Sequence, residues 1–560
     1  MSLPDYFHFQ ISDTDKTDLP IISLTDSRTG FMVRTAIASN IRQTPSIMAF
    51  AGARYSRSSD SAEEIFSEIK NSGKNAQEKL AAIFRNYGHA SVADMSQLFG
   101  YIENIPQEIA TKFFYETSVG GGQERSTRYQ DFSQPNYLEL VSFIEKNNQE
   151  KALKSSNFES LSQNFLELQK ISLEKYQKWV NVFTEKYIEC YQVDKNNKSQ
   201  MGALTARVFD TARYFLLFGV CNKTSLGWIT SAREWGRIIS QFKSSSIWQM
   251  QALGEQIECL FAPDPDIAKL LGYLPEAPDL IRYTKSDETT ISNLNDLKVF
   301  LEKETTFLKS AKFNREFGFK TIKVEVFGER YAGSLKAIAQ NILTIYPTAN
   351  ENWLLDWLQE LDFDLKTRLG LIVNQRFNHH KQMGNQFRVN VKSFLLTCSI
   401  AEARDLNRHR AWGRFMPMLS SETDFESLIN EGYTLPLYLT ENNDLKDEKV
   451  EFETDLLHYY SKLKEFILKT KEFDWFPQNL IVELLPFAHV MKMWLHGSPK
   501  EISYMTKLRV RPGGHINYRV LAYEIAKLSE LNDPLMTGTN IDLTDNKPDA
   551  LSRDQFLDRS

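Results

Sequence analysis

A run of three glycines, Gly120–Gly122, constrains this chain more than any other feature of its sequence. Glycine loses more backbone entropy than any other residue when it is ordered, so three in succession argue against a regular helix or strand. They fit a loop whose main chain passes close to another group. The residues that follow carry an amide, a carboxylate, a hydroxyl, a guanidinium and a phenol, and they are Gln123, Glu124, Ser126, Arg128 and Tyr129.

The spacing of these polar residues gives the loop a candidate binding face. In an extended segment, side chains two positions apart point the same way, so Glu124, Ser126 and Arg128 share one face. That face presents an acceptor, a hydroxyl and a planar donor fork that fits phosphate. The pattern also fits a polar surface turn with a Glu124–Arg128 pair, and the residues alone leave both possibilities open.

The stretch QERSTRY resembles the second half of the signature of flavin-dependent thymidylate synthases, R-H-R-x-x-S-x-N-E-x-S-x-R-[YS]. The resemblance implies that the five polar residues of the loop bind the nucleotide substrate. The first half of the signature is missing here, because Glu116, Thr117 and Ser118 stand where Arg-His-Arg would be.

Two segments before the loop resemble flavin-contacting motifs of the same family. The stretch IMAFAGARYS resembles the family segment A-A-R-x-S and ends at Ser56, and Gly88–Ser91 resembles G-H-x-S and contains His89. The resemblance implies that Ser56 and His89 contact the flavin. Taken alone, Ser56 fits a cap of a helix or strand, and His89 fits a capped turn.

The segment 206–233 resembles two further family patterns. Arg207 stands at the arginine of A-R-x-x-L-P, and Asn222 and Arg233 fall on N-A-R-S-L-x-x-F-L-x-x-R. The resemblance implies that Arg207 and Arg233 face the nucleotide and that Asn222 faces the flavin. Arg233 also fits a charge at the end of a helix, stabilised by the helix dipole.

After a boundary rich in Pro, Asp and Ser at Ala262–Thr290, the chain resembles its own first half. His380 lies near the position of His89, and Arg408-His409-Arg410 supplies the triple that the first half lacks. Arg509 matches the nucleotide-binding arginine again. A helix that ends in Arg-His-Arg is a dense cationic site suited to a pyrophosphate.

The resemblance implies an α/β (α+β) fold with two tandem domains, each a mixed sheet with helices and a helical insertion. We expect these domains at residues 1–275 and 290–535, followed by a disordered tail at 537–560. The two halves would pool their surviving contacts in shared sites. The family assembles as a homotetramer, so two chains of this length would form a homodimer that acts as a pseudo-tetramer.

The implied reaction is reductive methylation of dUMP to dTMP, with methylenetetrahydrofolate, FAD and NADPH. Arg233 and Arg509 would be catalytic and polarise the uracil carbonyls. The residues that the resemblance assigns to FAD come from both halves of the chain. They are Ser56, His89, Asn222, His380, Arg408, His409 and Arg410. The alternatives are a non-catalytic nucleotide- or flavin-binding relic, and methylation of uracil in another acceptor such as tRNA.

Composition limits the other functions that this chain could have. A net charge of -6 over 560 residues argues against a general nucleic-acid binder. The four cysteines are scattered without metal spacing, which also argues against a disulfide framework. We find no signal peptide and no apolar run long enough to cross a membrane, so we expect a cytoplasmic protein without a metal, membrane or nucleic-acid partner.

Overall fold

The computed structural model describes a large part of the chain, and every structural statement below concerns that part. It comprises residues 4–11, 21–36, 49–53, 61, 65, 90–117, 119–220, 223–245, 247–264, 266, 280–287, 316–327, 333–343, 350–374, 387–389, 391–417, 428–471, 473–529, 533–537 and 547–558.

The first half builds a six-stranded sheet in the order β1-β2-β3-β4-β6-β5. Its strands are β1 Phe7–Ile11, β2 Ile21–Asp26, β3 Met32–Ala36, β4 Gln97–Pro106, β5 Gly121–Glu124 and β6 Lys223–Ser231. Burial alternates along most of β4, so Leu98 and Ile102 face the core while their neighbours are exposed. This period of two is typical of a strand that packs one face on the core.

Side-chain caps begin two of the helices in the described part of the first half, at Asn197 and Ser231. The helices are α1 Gln107–Glu116, α2 Lys146–Leu153, α3 Phe158–Cys190, α4 Lys198–Ala212, α5 Ala232–Lys243 and α6 Trp248–Phe261. Pro106 precedes α1, as its fixed φ predicts, and the Ser231 hydroxyl accepts a hydrogen bond from the Glu234 amide at the start of α5. Phe113, Trp228 and Trp235 pack together between these helices and the sheet.

The second half repeats this plan with a four-stranded sheet in the order β7-β8-β10-β9. The strands are β7 Lys323–Phe327, β8 Lys392–Ser399, β9 Gly413–Phe415 and β10 Val490–Gly497. The helices are α7 Gly333–Leu343, α8 Glu351–Glu360, α9 Phe363–Asn374, α10 Ile400–Asn407, α11 Leu437–Thr440, α12 Lys446–Thr470, α13 Leu480–Glu483, α14 Pro499–Arg509, α15 Ile516–Leu528 and α16 Arg553–Leu557. Strand, helix and edge strand follow one another as β8-α10-β9, which matches β4-α1-β5.

Reciprocal hydrogen bonds relate the two halves by a pseudo-two-fold axis. The Phe218 amide donates to the Leu485 carbonyl at 2.8 Å, and the Phe487 amide donates to the Leu216 carbonyl at 2.8 Å. A second pair repeats the relation, from Gly219 to Glu483 and from Ala488 to Tyr214. A two-fold axis repeats each contact between the halves with the roles of the two equivalent residues exchanged. The predicted duplication of a mixed helix and sheet fold is therefore confirmed, with Leu216 equivalent to Leu485.

The predicted helical insertions are the long helices α3 and α12, which pack against each other. Asp455 on α12 lies 2.7 Å from Lys175 Nζ and 3.1 Å from the indole Nε1 of Trp179, both on α3. Apolar residues at helical spacing line this contact, among them Phe183 and Phe452. The insertions therefore join the halves through their cores. No helix in the described ranges is long and apolar enough to cross a membrane.

Two expectations about the sheets differ from the structure. Mixed sheets were expected, but every pair among the ten described strands is antiparallel. Gly121 and Gly122 lie in edge strand β5, not in a loop. A Cβ on Gly122 would lie 2.2 Å from Cε3 of Trp228, so the glycines are needed for close approach of the strand to this ring.

The tail also differs from its expected disorder, because residues 547–558 are ordered. They form the short helix α16, and the ring of Phe556 stacks on Tyr191 with centroids 3.7 Å apart. The polar composition of the tail predicts disorder, but a single buried aromatic side chain with a matching pocket outweighs it. The carbonyl of Asp558 also accepts a hydrogen bond from Arg207 at 2.9 Å.

Replacing Phe556 with alanine is expected to lower the free energy of unfolding by about 3–5 kcal/mol, because the ring is 1% exposed and its removal leaves a cavity. Urea unfolding measures this loss. Leu551→Ala is the matched control, since Leu551 is 53% exposed, and it should change stability by less than about 0.5 kcal/mol. Equal effects of the two variants would show that the tail does not pack in solution.

Candidate functional site

The glycine-rich segment of the first half meets the Arg-His-Arg segment of the second half. Oε2 of Glu124, at the end of β5, lies 3.0 Å from Nη2 of Arg408, and its other oxygen pairs with Arg404 on α10. The Glu124 side chain is 4% exposed. One carboxylate of the first half is thus held between two guanidiniums of the second half, which brings the separated parts of the predicted signature together.

Arg128 is tied into the same region by a buried ion pair. Its Nε lies 2.7 Å from Oδ1 of Asp210 and its Nη2 lies 2.8 Å from Oδ2, a bidentate arrangement. It also donates to the Tyr518 hydroxyl and to the Gly513 carbonyl in the second half. Burial lowers the pKa of Arg128, but the charge of Asp210 outweighs it and the pKa is well above the ordinary value. Arg128 therefore stays charged, and its guanidinium joins the two halves.

Arg213 is a site residue that our sequence interpretation missed. It is 1% exposed, and its guanidinium donates to the Thr127 hydroxyl at 3.2 Å and to Asp405 on α10 at 3.1 Å. The stretch Ala212-Arg213-Tyr214-Phe215-Leu216 carries the A-R-x-x-L pattern that we placed at Arg207. The signal was therefore present in the sequence, one and a half helical turns further along.

A neutral histidine orients the last arginine of α14. Arg509 Nε donates to His409 Nε2 at 2.6 Å, and Arg509 Nη2 donates to the Asp405 carbonyl at 2.9 Å. Burial, followed by the charges of Arg509 and Arg414, lowers the pKa of His409 well below its ordinary value. His409 is therefore neutral and its Nε2 lone pair is available to accept this hydrogen bond.

Several guanidinium donors at this site are buried without an acceptor among the described residues. They are Nε of Arg213, Nε of Arg404, Nε of Arg408 and Nη1 of Arg410. Arg410 also lies over the ring of Trp228, 4.6 Å from its centroid. A buried donor without an acceptor costs about 1–3 kcal/mol, so these atoms favour an anionic ligand. Glu124 accepts hydrogen bonds from Nη2 of Arg404 and from Nη2 of Arg408, and it leaves these other donors unsatisfied.

Arg207 has a structural role in the described chain. It is fully buried and donates to the carbonyls of Pro512, Gly513 and Asp558. The other loop residues lie at the surface or near it: Gln123 is exposed in β5, Tyr129 is 57% exposed, and the Ser126 hydroxyl accepts from the Arg128 amide at 3.2 Å.

Arg233 lies apart from this cluster, on the first turn of α5. Its side chain is 56% exposed and pairs with Asp94 at 3.0 Å. It lines a cavity of about 830 Å³ together with Gly120 and Arg237. Arg509 is the last residue of α14, so the two arginines that the sequence suggested as counterparts occupy opposite ends of equivalent helices. Four further predicted residues, Ser56, His89, Asn222 and His380, lie outside the described residues.

Acidification tests the buried charge network through His515, which faces Glu402, Asp210 and the two arginines Arg128 and Arg213. Burial first, and then these arginines, lower its pKa to about 3 against the opposing charge of Asp210. The unfolded chain binds this proton near pH 6.5, so the free energy of unfolding falls as pH decreases from there. The loss is about 2 kcal/mol between pH 6.5 and 5.

We expect His515→Asn to lose this component of the pH dependence in urea unfolding at pH 5 and 7. His458→Asn is the control, because His458 is exposed on α12. Identical pH dependence in the wild type and His515→Asn would contradict a neutral buried His515.

These features define a duplicated α+β protein with an arginine-rich site between its halves. Residues 38–263 match the family model described as thymidylate synthase complementing protein, Thy1. This match confirms the predicted resemblance of the first half of the chain to the flavin-dependent thymidylate synthase family.

Curated relatives and solved structures give more distant similarities. The chain is 21% identical over 444 residues to a UPF0159 protein of Chlamydia pneumoniae, covering 79% of this chain and 76% of that protein. A UMP/dUMP methylase PolB from Streptomyces cacaoi, solved with 5-Br dUMP, aligns at 16% identity with a TM-score of 0.31, covering 40% of this chain and 99% of that one. Thymidylate synthase X from Helicobacter pylori, solved with FAD and dUMP, aligns at 15% identity with a TM-score of 0.24, covering 43% and 95%.

Proposed function

We propose that this protein is a flavin-dependent methyltransferase that converts dUMP to dTMP at the arginine-rich site between its halves. The observation that carries the proposal is the pairing of Glu124 from the first half with Arg404 and Arg408 from the second half. Two incomplete parts of one signature thereby form one site. The match of the first half to the Thy1 family supports the same reaction.

The residues at this site fit FAD. The unpartnered donors of Arg404, Arg408 and Arg410 suit the pyrophosphate of a dinucleotide, and a bidentate guanidinium matches phosphate geometry. A bound reduced flavin would supply the hydride, and methylenetetrahydrofolate would supply the carbon. NADPH would reduce the oxidised flavin again.

The remaining residues position and polarise the nucleotide. Arg509 is held in one orientation by neutral His409 and by the Asp405 carbonyl, so its remaining donor can polarise a uracil carbonyl. Arg509 is half-buried, and partial exclusion of water strengthens the interaction of its charge with a bound substrate. Arg233 lines the separate cavity beside α5, and in a homodimer it would contact substrate that is bound by the neighbouring chain.

Purified protein tests the proposal directly. We expect a yellow protein with a flavin absorbance band, and dTMP formation from dUMP, methylenetetrahydrofolate and NADPH. A parallel assay with tRNA in place of dUMP shows whether the methyl acceptor is uracil in a nucleic acid or the free nucleotide. A colourless protein that neither takes up added FAD nor binds dUMP would end the proposal.

A non-catalytic relic is the second candidate, and one observation favours it. Arg128, the arginine expected to bind the nucleotide phosphate, is already paired with Asp210 through both carboxylate oxygens. If dUMP binds but no dTMP forms under any flavin or folate supply, the relic is the better description.

A further inference from the structure

The pseudo-two-fold axis creates two equivalent positions for a site, and their contents can be compared residue by residue. Gly121 of β5 pairs with Ile229, three residues before α5 begins, and Gly413 of β9 pairs with His496, three residues before α14 begins. The edge strands are therefore equivalent, with Gly121 matching Gly413. Counting back along the chain from these two glycines, Arg408 corresponds to Glu116 and His409 corresponds to Thr117.

The same comparison extends to the other cations of the site. Since Leu216 is equivalent to Leu485, Arg213 corresponds to Val482. Arg509 ends the 11 residues of α14, and the residue at that position of α5 is Phe242, which is fully buried. Glu124 corresponds to Met416. The second position thus lacks every arginine of this set and also the carboxylate that they surround.

The second position is filled by a buried acidic cluster. Glu483, the counterpart of Tyr214, is fully buried and accepts a hydrogen bond from Gln249 at 3.0 Å. Glu108 on α1 pairs with Lys112 at 3.0 Å, and both are buried. Burial first, and then the charge of Glu108, raises the pKa of Glu483 well above its ordinary value. Glu483 is therefore held neutral, and the cation beside it, Lys112, is already neutralised by Glu108, so this buried position does not favour a phosphate.

We propose that each chain holds a single site for dUMP and FAD, at the arginine-rich position, and that its two-fold counterpart has become part of the structural core. This inference rests on the proposed function for the identity of the ligands. The physical reason is the different charge at the two positions. One has arginines whose unpartnered donors can bind a phosphate group, whereas the other has a neutral carboxyl group and a lysine that is already paired.

Binding stoichiometry tests the inference. Equilibrium dialysis with dUMP and absorbance titration with FAD are each expected to give one equivalent per chain. Arg408→Ala should weaken binding by about 30-fold or more, because it removes a charged contact. Glu116→Gln, the matched variant at the second position, should bind one equivalent as the wild type does. Far-UV circular dichroism establishes whether both variants fold. If Arg408→Ala does not fold, Arg410→Ala, at a half-buried arginine, is used for the same test.

The outcomes separate this inference from the proposed function. Two equivalents per chain would overturn the single site and leave the proposed function in place. Loss of binding in Glu116→Gln with full retention in Arg408→Ala would also overturn it, because the ligand would then occupy the second position. If neither dUMP nor FAD binds to the wild type, the proposed function fails and this inference fails with it.

Discussion

Replacing Arg213 with methionine is expected to lower the free energy of unfolding by about 3–5 kcal/mol. The Arg213 guanidinium lies 3.1 Å from Asp405 and 3.7 Å from Asp210, and all three side chains are buried. Burial raises the pKa of Asp405, but Arg213 and Arg408 outweigh it, so Asp405 is an anion with a lowered pKa. Without Arg213, that charge loses its closest partner in the low-dielectric interior.

Urea unfolding measures the effect, and Arg233→Met is the matched control. Arg233 has the same side chain and also an ion pair at 3.0 Å, but it is 56% exposed. Solvent screens an exposed pair, so we expect a change of no more than about 1 kcal/mol in the control. Equal losses would show that burial does not decide the strength of these pairs, and the account of the network would be wrong.

Arg408→Ala is expected to retain the fold while weakening FAD binding by about 2–5 kcal/mol. The Arg408 side chain is 32% exposed, and its partner Glu124 remains paired with Arg404 after the change. No buried charge is therefore left alone. The lost guanidinium carries one of the unpartnered donors that suit an anionic ligand. Fluorescence titration with FAD measures the loss.

Arg128→Ala is the contrasting variant for this prediction. From the sequence alone, this change should weaken dUMP binding and leave the flavin in place. In the structure Arg128 is paired with Asp210, so we expect a loss of stability as well, of about 3–5 kcal/mol. If Arg408→Ala unfolds the protein and Arg128→Ala does not, the division between ligand-binding and structural arginines is reversed.

The convergence of the two halves could be predicted from the sequence because each half keeps a different part of one signature. Glu124 and Arg408 lie 284 residues apart in the chain, yet their motifs adjoin in the family pattern. The strand at 97–106 and the long helices were predictable for a local reason, since a hydrophobic period is set by residues a few positions apart.

The features that the sequence did not predict depend on packing against distant segments. Gly121 and Gly122 form a strand because Trp228 requires a close backbone approach, and no local pattern reports that ring. The tail folds because Phe556 meets Tyr191. The arginine pattern was assigned to Arg207 and not to Arg213, because two Ala-Arg pairs occur within one helix and its continuation.

The sequence by itself determined the resemblance to the family, the duplication and which half carries the Arg-His-Arg triple, because these are properties of residue order. Only the tertiary structure decided which arginines pair with buried carboxylates and which of their nitrogens have no acceptor among the described residues. The physical reason is that Coulomb energy depends on distance and burial, and for Glu124 and Asp405 both are set by the other half of the chain.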